Sequence, residues 1–539
     1  MGKDSRSGLL SIGMLLELLY LFLVALCAVP QLHLHPTPLL AGRPWMLALS
    51  HLLFPGAWMG AGHPASAGWP YILLLAVILL ALAILHLFAV GKINKRDLSR
   101  ENASCSAGWL LLLLIGAVIF GITLLAQPAL FSDDVFRYIF TGRILTVYHA
   151  DPMTTAPAQF PHDPYLSWIA QPGMPNVYGP LWLTFTSLLA RIDGSPVTML
   201  LLFKASTLVF HLLDCVIIWA ILGKIAPTRR FLGTLLYAWN PLVLIESAGN
   251  GHNEAALILL LLLATWLYVQ RESYPERDQS GSYTPPQGKG IWYEIGALVL
   301  LGTAAAINFI ALLVAVMFIW FVVRKHRSVA RVSRDAGWRV VLVLIPVVLL
   351  YLPFWQGGAT YLAITSNTSI EPTGISFVNM LATPLRGFFS FLAVLSNYHS
   401  PDVEPVPAAN ATVLGTSIFM YALIYLYLLS KMRKGGQFDT LLRSWSTALV
   451  GYIILAVGAF WPSFVLWALW VTVLRRFDAL NVSVLLLSYT ALLIYPLLYV
   501  GSGPAAVYAS ILIFGIPLVY LLLPLRKRRS ERNRLFYGG

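Results

Sequence analysis

Long apolar runs alternate with short polar loops from one end of the 539-residue chain to the other. A run such as WLLLLLIGAVIFGITLLA carries no charge and approaches the roughly 20 residues that cross the hydrocarbon core of a bilayer. The pattern predicts membrane helices near residues 8–28, 70–90, 108–127, 196–222, 231–247, 252–270, 291–306, 309–323, 338–353, 411–430, 444–461, 463–474, 479–499 and 505–523. The predicted fold class is therefore an all-α polytopic membrane protein with about 12 to 14 spans, formed by one membrane-embedded domain over residues 1–539.

Two apolar segments do not fit this simple alternation. The run at 178–192 is short for a span, so we expect it only to dip into the bilayer. The sequence does not decide the topology of the run at 376–395. The sequence contains no evident internal repeat, which disfavours a transporter built from repeats. It also shows no alternating ten-residue strand pattern, which disfavours a β-barrel.

The distribution of charge orients the chain. Only 11% of the residues are charged against 58% hydrophobic ones, and the net charge of +13 is concentrated in loops. The basic loops are at 91–100, 324–339, 431–436, 475–476 and 526–534. The positive-inside bias places them in the cytoplasm, together with a linker at 271–290 and the basic tail at 526–539, which holds the C-terminus. The loop at 128–177 then faces outward, and the charge serves topology and not binding to nucleic acid.

Two adjacent carboxylates stand where the chain leaves the membrane at the start of this outer loop. In the segment SDDVFRY, helical spacing places Arg137 four residues after Asp133, and Arg137 and Tyr138 three and four residues after Asp134. One carboxylate can be ion-paired while the other takes a proton, which suits general-base work or cation binding. Capping of a helix N-terminus explains the same residues equally well. We favour Asp133 as the base, because Asp134 can be engaged by both neighbours.

The rest of the outer loop is polar and rich in proline. It carries Arg143, Asp151, Tyr165 and Tyr178 as candidate substrate-binding residues, since aromatic faces stack on sugar rings. An interfacial aromatic belt is the simpler explanation of the tyrosines. A divalent metal is possible here, but the spacing of the histidines and aspartates matches no specific metal site, and no cofactor is predicted.

A second polar constellation lies at the start of a later apolar run. The segment ESAGNGHNE contributes Asn250, His252, Asn253 and Glu254 as further candidate binding residues, with Glu246 upstream in the same run. Ionisable groups at the membrane edge favour a functional site, although pairing inside a helix bundle is the alternative. The surrounding glycines permit a tight turn before the helix.

The order of motifs SDDVFRY, ADP, YGPL, NP and GHNE resembles the polyprenol-phosphate-mannose-dependent α-mannosyltransferases of the GT-C glycosyltransferase superfamily. The resemblance implies a GT-C-like helical bundle whose long extracytoplasmic loop carries short helices and acts as a catalytic loop. It also implies that Asp133 or Asp134 is the catalytic base. Relatives often carry a lysine where this chain has Asn308, so Arg137, Arg143, His252 or Arg386 is expected to face the donor phosphate.

The implied reaction is inverting transfer of a hexose, with mannose favoured, from a polyprenyl-phosphate sugar donor to a lipid-linked or glycan acceptor on the outer face of the cell membrane. The partners are thus the lipid-phosphate donor, a glycan or glycolipid acceptor and the bilayer itself. A transporter or flippase for a polyprenyl-linked or ionic substrate would use the same membrane-edge carboxylates and is the alternative. The concentration of polar residues at the outer edge favours the enzyme.

Overall fold

The structure is a computed structural model that describes residues 3–32, 44–58, 68–92, 107–128, 130–169, 171–176, 178–192, 194–271, 289–324, 329–366, 374–395, 405–432, 437–500 and 504–537. Within these ranges the regular structure is helical and no strand occurs, which confirms the predicted fold class. The predicted cytoplasmic linker lies outside the described residues over 272–288, as does most of the basic loop at 91–100.

The helices follow the apolar runs closely. They are α1 (Lys3–Leu26), α2 (Pro44–Leu53), α3 (Pro55–Trp58), α4 (Trp69–Lys92), α5 (Ala107–Leu125), α6 (Asp134–Thr146), α7 (Pro180–Ala190), α8 (Pro196–Ile225), α9 (Arg230–Ala238), α10 (Pro241–Leu244), α11 (Glu254–Arg271), α12 (Lys289–Ala305), α13 (Ile310–Val323), α14 (Val329–Tyr351), α15 (Gly358–Ser366), α16 (Phe377–Leu395), α17 (Pro405–Lys431), α18 (Phe438–Leu455), α19 (Leu466–Leu474), α20 (Ala479–Thr490), α21 (Ile494–Leu497) and α22 (Pro504–Tyr537). A π-helical turn, Ile245–Gly249, follows α10.

Eight helical segments in the described part of the chain are long and apolar enough to cross a membrane, and six shorter apolar helices accompany them. The protein is therefore a multi-pass membrane protein. The predicted 12 to 14 spans would require shorter helices to cross as well, so that number stays a prediction. Helix α7, at the segment expected only to dip into the bilayer, has 11 residues and is too short to span it alone.

Two compact units emerge from the packing of the chain. The first comprises residues 1–319 and 325–367, and the second comprises 320–324 and 368–539. In the second unit, α16 packs on α17, α18 packs on α17 and α19, and α20 packs on α22. The single domain predicted over residues 1–539 stays a prediction.

Helix α8 is the centre of the first unit. It packs against α5, α6, α7, α9 and α11, as well as against the π-helical turn. Trp239 is buried next to α5, where its indole Nε1 donates to the Leu113 carbonyl at 2.9 Å. A Cβ at Gly116 would lie 2.6 Å from that indole ring, so the glycine allows the close approach of α5.

The break between α12 and α13 packs on the start of α7. The backbone N–H of Gly179 donates to the Ile307 carbonyl at 3.2 Å, and that of Leu181 donates to the Ala306 carbonyl at 3.1 Å. Asn308 caps α13, because its Oδ1 accepts a hydrogen bond from the Ile310 N–H at 3.0 Å. Asn308 thus organises the helix break that packs beside Tyr178.

Candidate active site

Two chain segments some 120 residues apart meet at the start of α6. The Leu130 N–H donates to the Gly249 carbonyl at 3.3 Å, and the Phe131 N–H donates to the Asn250 Oδ1 at 2.8 Å. These bonds join the chain that leaves α5 to the chain that follows the π-helical turn. The two polar constellations found in the sequence therefore meet in one place.

The first turn of α6 confirms that the two aspartates stand at a helix N-terminus. Asp133 is the N-cap residue, but its side chain makes no capping hydrogen bond. Ser132 fills that role in part, since its Oγ accepts from the Asp134 N–H at 3.2 Å. The Asp133 side chain therefore takes no part in capping α6.

The Asp134 carboxylate is held by two side chains from other segments. Its Oδ1 accepts from the Tyr178 hydroxyl at 2.8 Å, and its Oδ2 lies 3.3 Å from the His252 Nε2. The side chain of Asp134 nevertheless remains 38% exposed, whereas that of His252 is 9% exposed. The carboxylate is thus fixed in position and still open to a bound molecule.

The two neighbours expected from helical spacing have other contacts as well. Arg137 Nη2 donates to the Gln171 carbonyl at 3.3 Å. The ring of Tyr138 packs edge-on against the Tyr178 ring, with centroids 4.6 Å apart. Tyr138 therefore orients Tyr178, which in turn binds Asp134.

Behind His252 lies the fully buried Glu246. The His252 Nδ1 is 2.5 Å from the Glu246 Oε2, and the Asn250 Nδ2 donates to the same oxygen at 3.3 Å. The π-helical turn and Gly251, at φ +74°, bring the chain back so that the His252 N–H donates to the Glu246 carbonyl at 2.9 Å. Such π-helical turns frequently occur at functional sites, and a positive φ favours glycine.

These contacts set the charge states of the site. Burial would raise the pKa of Asp134, but the hydrogen bond and charge of His252, the Tyr178 hydroxyl and the charge of Arg137 together hold it below its usual value. Burial would lower the pKa of His252, but the adjacent Glu246 and Asp134 carboxylates raise it well above its usual value. Both shifts favour a positive charge on His252 and a negative charge on Asp134.

The candidate residues in the outer loop mainly hold the loop together. Arg143 forms an ion pair with the fully buried Asp163 carboxylate, with Nε and Nη2 both 2.9 Å from Oδ2, and its guanidinium lies over the Tyr165 ring. The Tyr148 hydroxyl donates to the same carboxylate at 2.8 Å. Asp151 caps its own turn, since its Oδ1 accepts from the Met153 N–H at 2.9 Å. Roles for Arg143, Asp151 and Tyr165 in substrate binding stay predictions.

The residues of the second constellation divide between the site and the next helix. Asn250 and His252 contact the start of α6 directly, as described above. Glu254 is the first residue of α11 and Asn253 directly precedes it, and both are largely buried. The Asn253 carbonyl accepts from the Leu257 N–H at 3.2 Å. In the described part of the chain, no group of three or more His, Cys, Asp or Glu side chains is placed to hold a metal ion.

A family model described as alpha-(1->6)-mannopyranosyltransferase, N-terminal domain, of the MptA_B family, matches residues 47–324, which is just over half of the chain. The chain belongs to this family. The match encloses every residue of the site, and it confirms the resemblance drawn from the motif order. The protein is thus a mannosyltransferase. Searches of curated proteins and of solved structures find nothing that matches the chain.

The sequence placed Glu246 in the second constellation and Ser132 at the start of the helix, but it did not indicate that both contact His252. Glu246 carried a usable signal, because a carboxylate in an otherwise uncharged apolar run needs a partner. Its partner His252 is only six residues away, but a regular α-helix would not bring the two side chains together. The π-helical turn and the following Gly251 do so together, and no periodicity in the sequence indicates that turn.

Proposed function

We propose that this mannosyltransferase transfers mannose from a polyprenyl-phosphate donor to a hydroxyl of a glycan or glycolipid acceptor, with inversion at the anomeric carbon to give an α-linkage. The observation that carries the proposal is the pair of aspartates at the start of α6. They directly follow the membrane-spanning helix α5, and Asp134 is fixed between His252 and Tyr178. A donor held by its lipid in the bilayer would bring its phosphate to this edge.

Asp133 is the proposed base. Its neighbour Asp134 has a lowered pKa and donors on both carboxylate oxygens, which makes it a weak proton acceptor. Asp133 is the N-cap residue of α6 and directly precedes Asp134, so it stands at the same edge of the bundle. In the reaction, the acceptor oxygen forms a bond to the anomeric carbon while its proton passes to Asp133. The bond between that carbon and the phosphate oxygen breaks, and the phosphate leaves with the electron pair.

Arg137 is the proposed cation for the departing phosphate. Among the four candidates, Arg143 is ion-paired with Asp163, and His252 lies between two carboxylates. Arg386 lies in the second unit and donates to the side chains of Asn379 and Asn410. Arg137 lies one turn after the aspartates and contributes positive charge at Asp134. A guanidinium there would stabilise the negative charge that grows on the leaving phosphate.

The outer face of the membrane is the proposed side of the reaction. The loop at 128–177 holds only two basic residues, whereas the loops at 324–339 and 526–534 are strongly basic. The positive-inside bias therefore assigns the site to the face opposite these loops. A lipid-phosphate sugar is a suitable donor there, since it can be presented from the bilayer itself.

The test compares two donors with the purified full-length protein in lipid vesicles. Radiolabelled polyprenyl-phosphate mannose and GDP-mannose are each supplied with a mannoside acceptor, and the product linkage is determined by NMR. We expect an α-linked product from the β-linked lipid donor and none from the nucleotide sugar. Transfer from GDP-mannose, a β-linked product, or no transfer from either donor would each contradict the proposal.

A further inference from the structure

A lysine is completely buried in the membrane-spanning helix α8, beneath the candidate site. The Lys204 Nζ donates to the Leu124 carbonyl at 3.0 Å and to the Gln127 carbonyl at 2.6 Å. Helix α5 ends at Leu125, where the last carbonyls lack partners within the helix. A cation at this end satisfies those carbonyls and complements the negative end of the helix dipole.

The Lys204 side chain also packs against the second chain segment of the site, the turn at Gly251. A Cβ at Gly251 would lie 3.2 Å from the Lys204 Cγ and 3.5 Å from the Val135 Cγ2. The lysine stem therefore packs against the turn that precedes His252, while its ammonium holds the chain that leads to Asp133. One residue supports both segments that meet at the site.

Thr207, one turn further along α8, adds a second attachment. Its Oγ1 lies 2.8 Å from the carbonyls of both Lys204 and Ser247. Ser247 follows Glu246 in the π-helical turn, so this contact joins α8 to the segment that carries the histidine's carboxylate partner. The two attachments make α8 the common support of Asp133, Asp134 and His252.

We propose that Lys204 is a positioning residue of the transferase, which holds the two aspartates in register with His252. The role rests on the proposed function above, but the positioning itself is a property of the structure. A buried ammonium is costly in a membrane, and a methionine of similar length would fill the space without that cost. What methionine cannot do is hold the carbonyls that follow α5 in place.

The test replaces Lys204 with methionine in the full-length protein and uses Asp214→Asn as the matched control. Asp214 lies on the same helix, is completely buried and binds the Tyr237 hydroxyl at 2.9 Å. Hydrogen exchange is followed at the amides of Leu130, Phe131 and Asp134, whose hydrogen bonds define the start of the site. We expect their exchange to accelerate at least tenfold in Lys204→Met and to remain at the wild-type rate in Asp214→Asn.

Transfer kinetics provide the second measurement. A displacement of about 1 Å can lower turnover on the order of 100-fold, so we expect kcat of Lys204→Met to fall by about 10- to 100-fold. The KM for the donor should change less than about threefold, because the lysine contacts neither donor nor acceptor. Lys204→Arg, which keeps a cationic donor, should recover about a fifth or more of the wild-type kcat.

Three outcomes would overturn the proposal. They are unchanged exchange at the three amides in Lys204→Met, a kcat within twofold of wild type, or equal acceleration in Asp214→Asn. If Lys204→Met does not fold, Lys204→Gln decides, since its side chain is shorter and uncharged, should hold the two carbonyls less tightly and should raise the three exchange rates selectively. If the wild type shows no transfer, the proposed function fails, and the exchange measurement still decides whether Lys204 positions the segment.

Discussion

Two charged clusters in the first compact unit have similar chemistry and different environments. The site cluster consists of Asp134, Tyr178, Glu246 and His252. The arginine cluster consists of Arg271, Glu294 and Arg339, which join α11, α12 and α14. In the arginine cluster, the Glu294 carboxylate lies 2.7 Å from the Arg271 Nε and 2.6 Å from the Arg339 Nε.

The difference between the clusters lies in exposure. The side chains of Arg271 and Glu294 are fully buried and that of Arg339 is 3% exposed, whereas Asp134 is 38% exposed. The arginine cluster ties three helices together and presents nothing to solvent. In the site cluster, His252 links the buried carboxylate of Glu246 to the partly exposed carboxylate of Asp134. Charge buried in the helix bundle therefore occurs both in a closed structural cluster and in the candidate site, and exposure separates the two.

The largest effect on stability should come from breaking the arginine cluster. In Glu294→Gln, two buried guanidinium groups lose their shared counter-charge, and such a change costs about 3–5 kcal/mol. We expect a large loss of folded protein in thermal unfolding of the purified variant. The comparison variant is Glu246→Gln, in which the amide oxygen can still accept a hydrogen bond from His252. Equal stability of the two variants would show that the clusters do not differ as described.

Glu246→Gln should instead change the pH dependence of transfer. The raised pKa of His252 depends largely on the Glu246 carboxylate, so the variant should bring that pKa back towards its usual value. The stability that protonated His252 contributes is complete below its unfolded pKa, about 6.5, and is lost as pH rises through the raised folded pKa. The alkaline loss of activity should therefore move to lower pH in the variant. A pH–rate profile checks this, and an unmoved alkaline limb would contradict it.

A smaller effect is expected from Tyr178→Phe. The change removes one hydrogen bond from the ionised Asp134, and the pKa of that carboxyl should rise towards its usual value. The stability that ionised Asp134 contributes is complete above about 3.8 and is lost as pH falls through the depressed folded pKa. The acid limb of the profile should therefore move to higher pH, with kcat lowered about three- to fivefold. Tyr148→Phe, which alters only the Asp163 contact, should leave the acid limb in place.

The sequence was sufficient to predict the helices and the start of the site. The apolar runs predicted all eight helical segments that are long and apolar enough to cross a membrane in the described part of the chain, and the two aspartates were placed correctly at the N-terminus of α6. The sequence predicted that the GHNE segment and these aspartates both lie at the outer membrane edge. It did not predict which of their side chains are in contact.

The partners of the site residues could not be predicted. Spacing along one helix suggested Arg137 and Tyr138 for Asp134, while its hydrogen bonds to Tyr178 and His252 come from residues 44 and more than 100 positions away. Helical periodicity shows which residues share a face and carries no information about which helices meet. The ion pair of Arg143 with Asp163 was missed for a related reason. Asp163 lies in a loop, where no helical period indicates its neighbours.

The most direct test of the account measures single-turnover transfer by Asp133→Asn and Asp134→Asn, with Asp439→Asn as the control. Asp439 is an exposed carboxylate in the first turn of α18, in the second unit. Loss of the general base should lower the rate about 10²- to 10⁴-fold in Asp133→Asn. Asp134→Asn should fall less, by about 10- to 100-fold, because it disturbs positioning, and the control should match wild type. A wild-type rate in Asp133→Asn would contradict the account.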